Sequence, residues 1–132
     1  MTERSLEGGC LCETVRYRVT GAPVLSVLCY CRDCLSVAGT DGYAGMMVRE
    51  TDFEHVSGPT TTHTRQSKSG REVERHFCPK CGSNLWGVTQ LGLISVAAGT
   101  LDNPNLFKPT KAVFVSDAPE WASVPDGLER EA

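Results

Sequence analysis

The chain has 132 residues, 40% hydrophobic and 22% charged, an ordinary globular composition with length for one domain and a real core. Thirteen Lys and Arg against sixteen Asp and Glu give a net charge of −3 and a pI near 5.6, which excludes an electrostatic footprint for nucleic acid or an anionic membrane. No apolar run reaches membrane-spanning length, and Met1-Thr2-Glu3-Arg4-Ser5 leads into no signal-peptide core, so the expected location is the cytoplasm.

In chain order, a C-x-C (Cys10, Cys12) is followed by Val15 to Val19, whose alternation has the period of a half-buried strand, ended by a turn at Gly21-Ala22-Pro23. Val24 to Leu28 is a short apolar run that delivers the chain into Cys29-Tyr30-Cys31-Arg32-Asp33-Cys34. Arg32 to Ala38 suits a helical turn stopped by Gly39. Gly42 to Val48 and Phe53 to Val56 read as strands. Thr60 to Arg65 is β-prone and leads through the hairpin-like loop Ser67 to Gly70 into a further strand, Glu72 to Phe77. The second cysteine pair, Cys78-Pro79-Lys80-Cys81, follows directly. Leu93 to Ala98 and Ala112 to Val115 complete the strands, and the polar tail from Ser123 to Ala132 is expected to fray beyond Trp121. Many short strands between Gly, Pro and Asn turns, with little room for long helices, predict a mostly-β single domain over 1–132, with its core at about 7–122.

Seven cysteines carry the chemistry. In a reducing compartment these spacings mark metal ligands rather than disulfides, and an odd total leaves one thiol unpaired. Clustered thiolates select zinc, copper(I) or iron–sulfur chemistry. Phe77-Cys78-x-x-Cys81-Gly82 has the form of a metal knuckle, with Gly82 free to adopt the positive φ the turn requires and backbone amides available to the thiolates. Such a pair is half a zinc site. Cys31 and Cys34 would complete it as an ordinary ribbon; Cys10 and Cys12 would complete it and leave Cys29, Cys31 and Cys34 as a separate group of three. Spacing alone admits both. The second partition has a chemical consequence, because three protein ligands leave one coordination position open, as in catalytic rather than structural zinc.

Three runs together carry a resemblance: Gly9-Cys10-x-Cys12-x-x-Val15-x-Tyr17, then Cys29-x-Cys31-x-x-Cys34-x-x-x-x-Gly39, then Phe77-Cys78-x-x-Cys81-Gly82-x-x-Leu85. They resemble the glutathione-dependent formaldehyde-activating enzyme family, which also includes centromere protein V. Gly99-Thr100-Leu101-Asp102-Asn103-Pro104, Pro109 and Trp121 extend the likeness, so that it runs roughly from Glu7 to Leu128. The resemblance implies a Mss4-like, zinc-stabilised antiparallel sheet assembly and two zinc ions per chain. It implies a structural zinc on Cys10, Cys12, Cys78 and Cys81 and a catalytic one on Cys29, Cys31 and Cys34. The partners it implies are a small thiol such as glutathione and an aldehyde, joined or parted by a carbon–sulfur lyase-type enzyme. Tyr30 departs from the pattern, since the family frequently has histidine there, and an unperturbed phenol, with pKa near ~10, moves protons poorly at neutral pH.

Among the remaining polar residues, His76 lies two positions before Cys78 but belongs to an alternating strand, where a solvent-facing histidine is the simpler expectation; His55 and His63 have weaker claims. Arg32 and Asp33 lie inside the triple-cysteine stretch, where a guanidinium would offset the −1 charge of a three-thiolate zinc site or receive a carboxylate. Trp86 and Trp121 suit packing better than a substrate platform. Two other classes of function remain. One is a non-enzymatic zinc-stabilised binding module, disfavoured for chromatin by the acidic pI. The other is a thiol redox or metal-handling protein.

Overall fold

A computed structural model describes residues 6–132. The described strands are β1 (Leu6–Gly9), β2 (Arg16–Val19), β3 (Leu25–Cys29), β4 (Tyr43–Arg49), β5 (Phe53–Ser57), β6 (Thr61–Gln66), β7 (Glu72–Phe77), β8 (Asn84–Thr89), β9 (Leu93–Ala97), β10 (Lys111–Val113) and β11 (Glu129–Arg130). One helix, α1 (Arg32–Ala38), leaves the end of β3, and short 3-10 turns fill the joints. The chain is mostly β, as its short β-prone runs predict.

The strands form two sheets. A small one has the order β1-β2-β5, and a large one the order β11-β10-β3-β4-β9-β8-β7-β6. Pairing is antiparallel except at one edge, where β10 runs parallel to both β3 and β11. Alternation within the strands decides which residues meet between the sheets. Tyr17 and Val19 of β2, Met46 and Val48 of β4, and Ile94 and Val96 of β9 are all within 3% of full burial. Trp86 joins them, and its ring meets Tyr17 edge-on at 5.9 Å between centroids and Phe53 at 4.8 Å. The intervening residues of β3, β4, β9, β8 and β7 face the opposite side of the large sheet. Their register is continuous: Val27 lies opposite Gly45, Met47 opposite Ser95, Ser95 opposite Gly87 and Gly87 opposite Arg75.

Two features differ from the sequence expectation. Trp121 is 74% exposed and anchors nothing in the core. The polar tail is instead pinned: the Tyr30 hydroxyl donates to the Ser123 carbonyl (3.0 Å), Glu131 N–H donates to the Ala112 carbonyl (2.8 Å), and Val115 N–H donates to the Glu131 carbonyl (2.9 Å). The physical reason is that β10 has an open edge, whose backbone groups a polar strand satisfies as well as an apolar one does.

Candidate functional site

Two turns of the same design bring four cysteines together. After β1, Cys10 N–H donates to the Val15 carbonyl (3.1 Å) and Glu13, at φ 68°, donates its N–H back to the Cys10 carbonyl (3.0 Å). After β7, Cys78 N–H donates to the Ser83 carbonyl (3.0 Å) and Gly82, at φ 78°, donates back to the Cys78 carbonyl (2.9 Å). Ser83 joins the two turns, accepting at its hydroxyl from Leu11 N–H (3.0 Å). Backbone amides aim at sulfur throughout: Val15 N–H at Cys10 Sγ (3.2 Å), and Lys80 and Cys81 N–H at Cys78 Sγ (3.3 and 3.5 Å). Such donors stabilise thiolate over thiol.

The sulfurs of Cys10, Cys12, Cys78 and Cys81 lie within 4.8 Å of one another. The Cys10–Cys12 separation is 3.6 Å and the Cys12–Cys78 separation 3.8 Å. Four sulfurs around a tetrahedral zinc, each at about 2.3 Å, stand about 3.8 Å apart, so the set has the spacing of a closed zinc site. All seven cysteines are free thiols. The Ser83 hydroxyl holds the Cys81 thiol down to about 5, the Thr14 hydroxyl lowers Cys12, and burial pushes Cys10 up. A metal at the centre offsets that last cost by favouring the anion.

Cys29, Cys31 and Cys34 form a second group, separate from the first, with sulfurs again within 4.8 Å of one another. Cys29 ends β3. Cys31 is the N-cap of α1, its sulfur accepting from Cys34 N–H at 3.4 Å, and Cys34 lies in the first turn. Gly39, at φ 68°, ends the helix by donating its N–H to the Leu35 carbonyl. The three thiols share protons unequally: bonds from Cys29 and then Cys34 hold Cys31 down to about 2, contact with Cys31 pushes Cys29 up to about 11, and Cys29 pushes Cys34 up. Crowded this closely, thiolates repel one another, and all three become anions together only around a cation. Its donor set fits zinc with three protein ligands and one position to spare.

All three residues line a hollow of about 410 Å³ on the face of the large sheet turned away from the core. Two further polar groups enter it. Arg75, opposite Gly87 on β7, makes no ion pair among the described residues, and its charge adds to the sulfur contacts in lowering Cys31. Tyr43 lies opposite Cys29; burial pushes its phenol up, and its hydroxyl is 3.3 Å from Ser95 Oγ. Sequence reasoning singled out neither. Arg75 reads as one of several charges on an alternating strand, and Tyr43 is placed by a pairing across the sheet that no local pattern records.

The residues that sequence reasoning did single out go elsewhere. Arg32 is exposed, and Asp33 pairs with Arg65 at 3.3 Å. His76 stacks on Trp86 with centroids 5.0 Å apart and bonds Thr60 and Glu74, while His55 bonds the Gly58 carbonyl. His63 is exposed on β6. Trp86 is core. Tyr30, 1% exposed, points its hydroxyl at Ser123.

Residues 5–117 match the family model described as glutathione-dependent formaldehyde-activating enzyme. A Halomonas elongata protein named "Putative glutathione-dependent formaldehyde-activating enzyme" is 32% identical over 127 residues, covering 90% of this chain and 80% of that protein. A crystal structure of a Rhodobacter sphaeroides protein superposes with a TM-score of 0.62 at 20% identity, over 78% of this chain and 96% of that one, a likeness of fold. Matching over most of its length and with all its cysteines in two metal-sized groups, the chain belongs to the glutathione-dependent formaldehyde-activating enzyme family.

Proposed function

We propose that the chain is a zinc-dependent carbon–sulfur lyase-type enzyme acting on a small, glutathione-like thiol and an aldehyde adduct such as S-hydroxymethylglutathione. The observation that carries this reading is the three-thiolate group opening into a hollow, apart from a closed four-thiolate group. Cys10, Cys12, Cys78 and Cys81 would hold a structural zinc, and Cys29, Cys31 and Cys34 a catalytic one. Zinc bound by three thiolates supplies an open position and lowers the pKa of a thiol that occupies it.

The chain's own residues handle the rest. In the synthetic direction a sulfur–carbon bond forms at the carbonyl carbon, the π pair moves to oxygen, and the proton lost from sulfur ends on that oxygen. The lytic direction reverses each change. Arg75 offers a fixed positive charge to the developing alkoxide, and Tyr43 stays protonated at neutral pH, so its O–H serves as a donor there. The raised pKa of Tyr43 comes first from burial, which also keeps bulk water from competing.

The test is zinc content together with exchange kinetics. Protein purified under reducing conditions should hold two zinc ions per chain and accelerate the exchange of isotopically labelled formaldehyde with its glutathione adduct. One zinc per chain, or no acceleration for any thiol and aldehyde pair, overturns the reading.

A further inference from the structure

The hollow is much larger than the smallest substrate of such a reaction requires. Its 410 Å³ equals about fourteen water-sized volumes, whereas a formaldehyde unit fills one or two. The excess has a structural cause. Two neighbouring strands present small residues to this face, Ser95 of β9 and, paired with it, Gly87 of β8, and so make a depression in the middle of the sheet. Around that floor the walls are apolar: Val27, Met47, Val73 and Phe114 all line it. The mouth is apolar as well. Leu25, Val37 and Leu91 line it while 39%, 39% and 56% exposed, large hydrophobic side chains left in water beside the site.

The charges nearby do not make this a polar pocket. Lys68 is paired with Asp117 at 2.7 Å and lies over the Phe114 ring, and Glu131 is paired with Lys111. Arg71 and Glu72 are exposed at the solvent edge. Arg75 is the one charged group held beside the cysteines without an ion pair among the described residues. Carboxylates of a peptide-like thiol pressed against these walls would lose hydration without replacement. An apolar chain would instead gain by leaving water.

We propose that this hollow is a binding site for an apolar substituent, an alkyl or aryl group of roughly four to eight carbons carried on the aldehyde side of the substrate. The charged ends of the thiol then lie toward the mouth and Arg71. The inference rests on the proposed thiol–aldehyde reaction for which reactant bears the group; the apolar site itself stands on the geometry.

Binding and turnover separate the two. Calorimetry on the zinc-loaded protein should show S-hexylglutathione binding at least tenfold more tightly than S-methylglutathione, since each buried methylene contributes up to about fourfold. Gly87→Leu, which grows from the floor where only Val73 stands close, at 3.1 Å, should cut that advantage below threefold. If that variant loses its β-sheet circular dichroism, Val73→Ser, which makes the wall polar, should reduce the advantage in the same direction. Glutathione-dependent turnover should favour hexanal over formaldehyde in kcat/KM. Equal binding of the two probes overturns the apolar site, as does a hexyl advantage that neither variant reduces. A turnover preference for formaldehyde overturns the placement of the group on the aldehyde. Tighter hexyl binding, abolished by the variants, with no turnover of any aldehyde would support the apolar site and refute the proposed reaction.

Discussion

Cys31 and Cys78 have the same side chain and similar local spacing, C-x-x-C, but the structure gives them different neighbours and therefore different consequences when lost. Cys78 is 1% exposed, receives two backbone N–H groups and belongs to a group assembled from residues 66 positions apart. Cys78→Ser should unfold the domain, because zinc binding in small modules contributes about 10 kcal/mol or more and whole domains have about 5–15 kcal/mol in reserve. Thermal unfolding with zinc analysis checks this; an unchanged midpoint would remove the structural role. Cys31→Ala should release about one zinc and abolish thiol-dependent activity while the circular dichroism stays folded, since the other four thiolates are untouched. At the surface, Asp102 accepts from both Nη1 and Nη2 of Arg16, at 2.9 and 2.5 Å, and that pair of bonds holds its carboxyl below the usual range. A depressed folded pKa means stability that is present above the unfolded value of about 3.9 and lost as pH falls through the folded one. Asp102→Asn should therefore cost up to about 1 kcal/mol at pH 7, less in high salt, and progressively less as pH falls below the unfolded value and through the lowered folded one, as read from urea unfolding at each pH.

At the scale of elements, the helix, the strands and the tail were legible to different degrees, for physical reasons. The run from Arg32 to Ala38 forms α1 with Gly39 as its left-handed cap, because the helix stop is a local backbone requirement that one residue meets. The Thr-rich run and the loop at Ser67 to Gly70 became the β6–β7 hairpin for the same reason: both signals are local. The sequence also allowed Cys31 and Cys34 to complete a ribbon with Cys78 and Cys81. What groups the thiols four and three is the approach of the turn after β1 in the small sheet to the turn after β7 in the large one, where Leu11 N–H donates to the Ser83 hydroxyl and Cys10 and Cys12 stand beside Cys78 and Cys81. The tail was illegible because β11 is a two-residue strand, polar throughout, whose pairing is parallel and reaches back to β10. Tyr30, in the joint between β3 and α1, reaches the same tail. Its ring packs on Gly42 and its hydroxyl bonds the Ser123 carbonyl, so it holds the tail down instead of facing the cysteines beside it. Tyr30→Phe should cost about 1 kcal/mol and raise amide hydrogen exchange in residues 123–131, with thiol turnover unchanged. A fall in turnover without faster exchange in the tail would return Tyr30 to the reaction.

For the molecule as a whole, the two cysteine groups differ in how far the chain must travel to make them. Cys29, Cys31 and Cys34 fall within six residues, whereas the other group joins the turn after β1 to the turn after β7. The compact triplet needs no fold to come together, so zinc proposed for it would bind the unfolded chain as well; the four-thiolate group assembles only once both sheets are in place. A ligand that binds native and unfolded chains alike leaves their balance unmoved, and only the differential affinity counts. Raising free zinc should thus lift the melting temperature along the curve of a single site. Cys31→Ala should leave that curve nearly superimposable, and two additive increments would refute this. During synthesis the order reverses the expected hierarchy: the triplet leaves the ribosome well before Cys78 and Cys81, so a nascent chain would collect the proposed catalytic zinc before the proposed structural one.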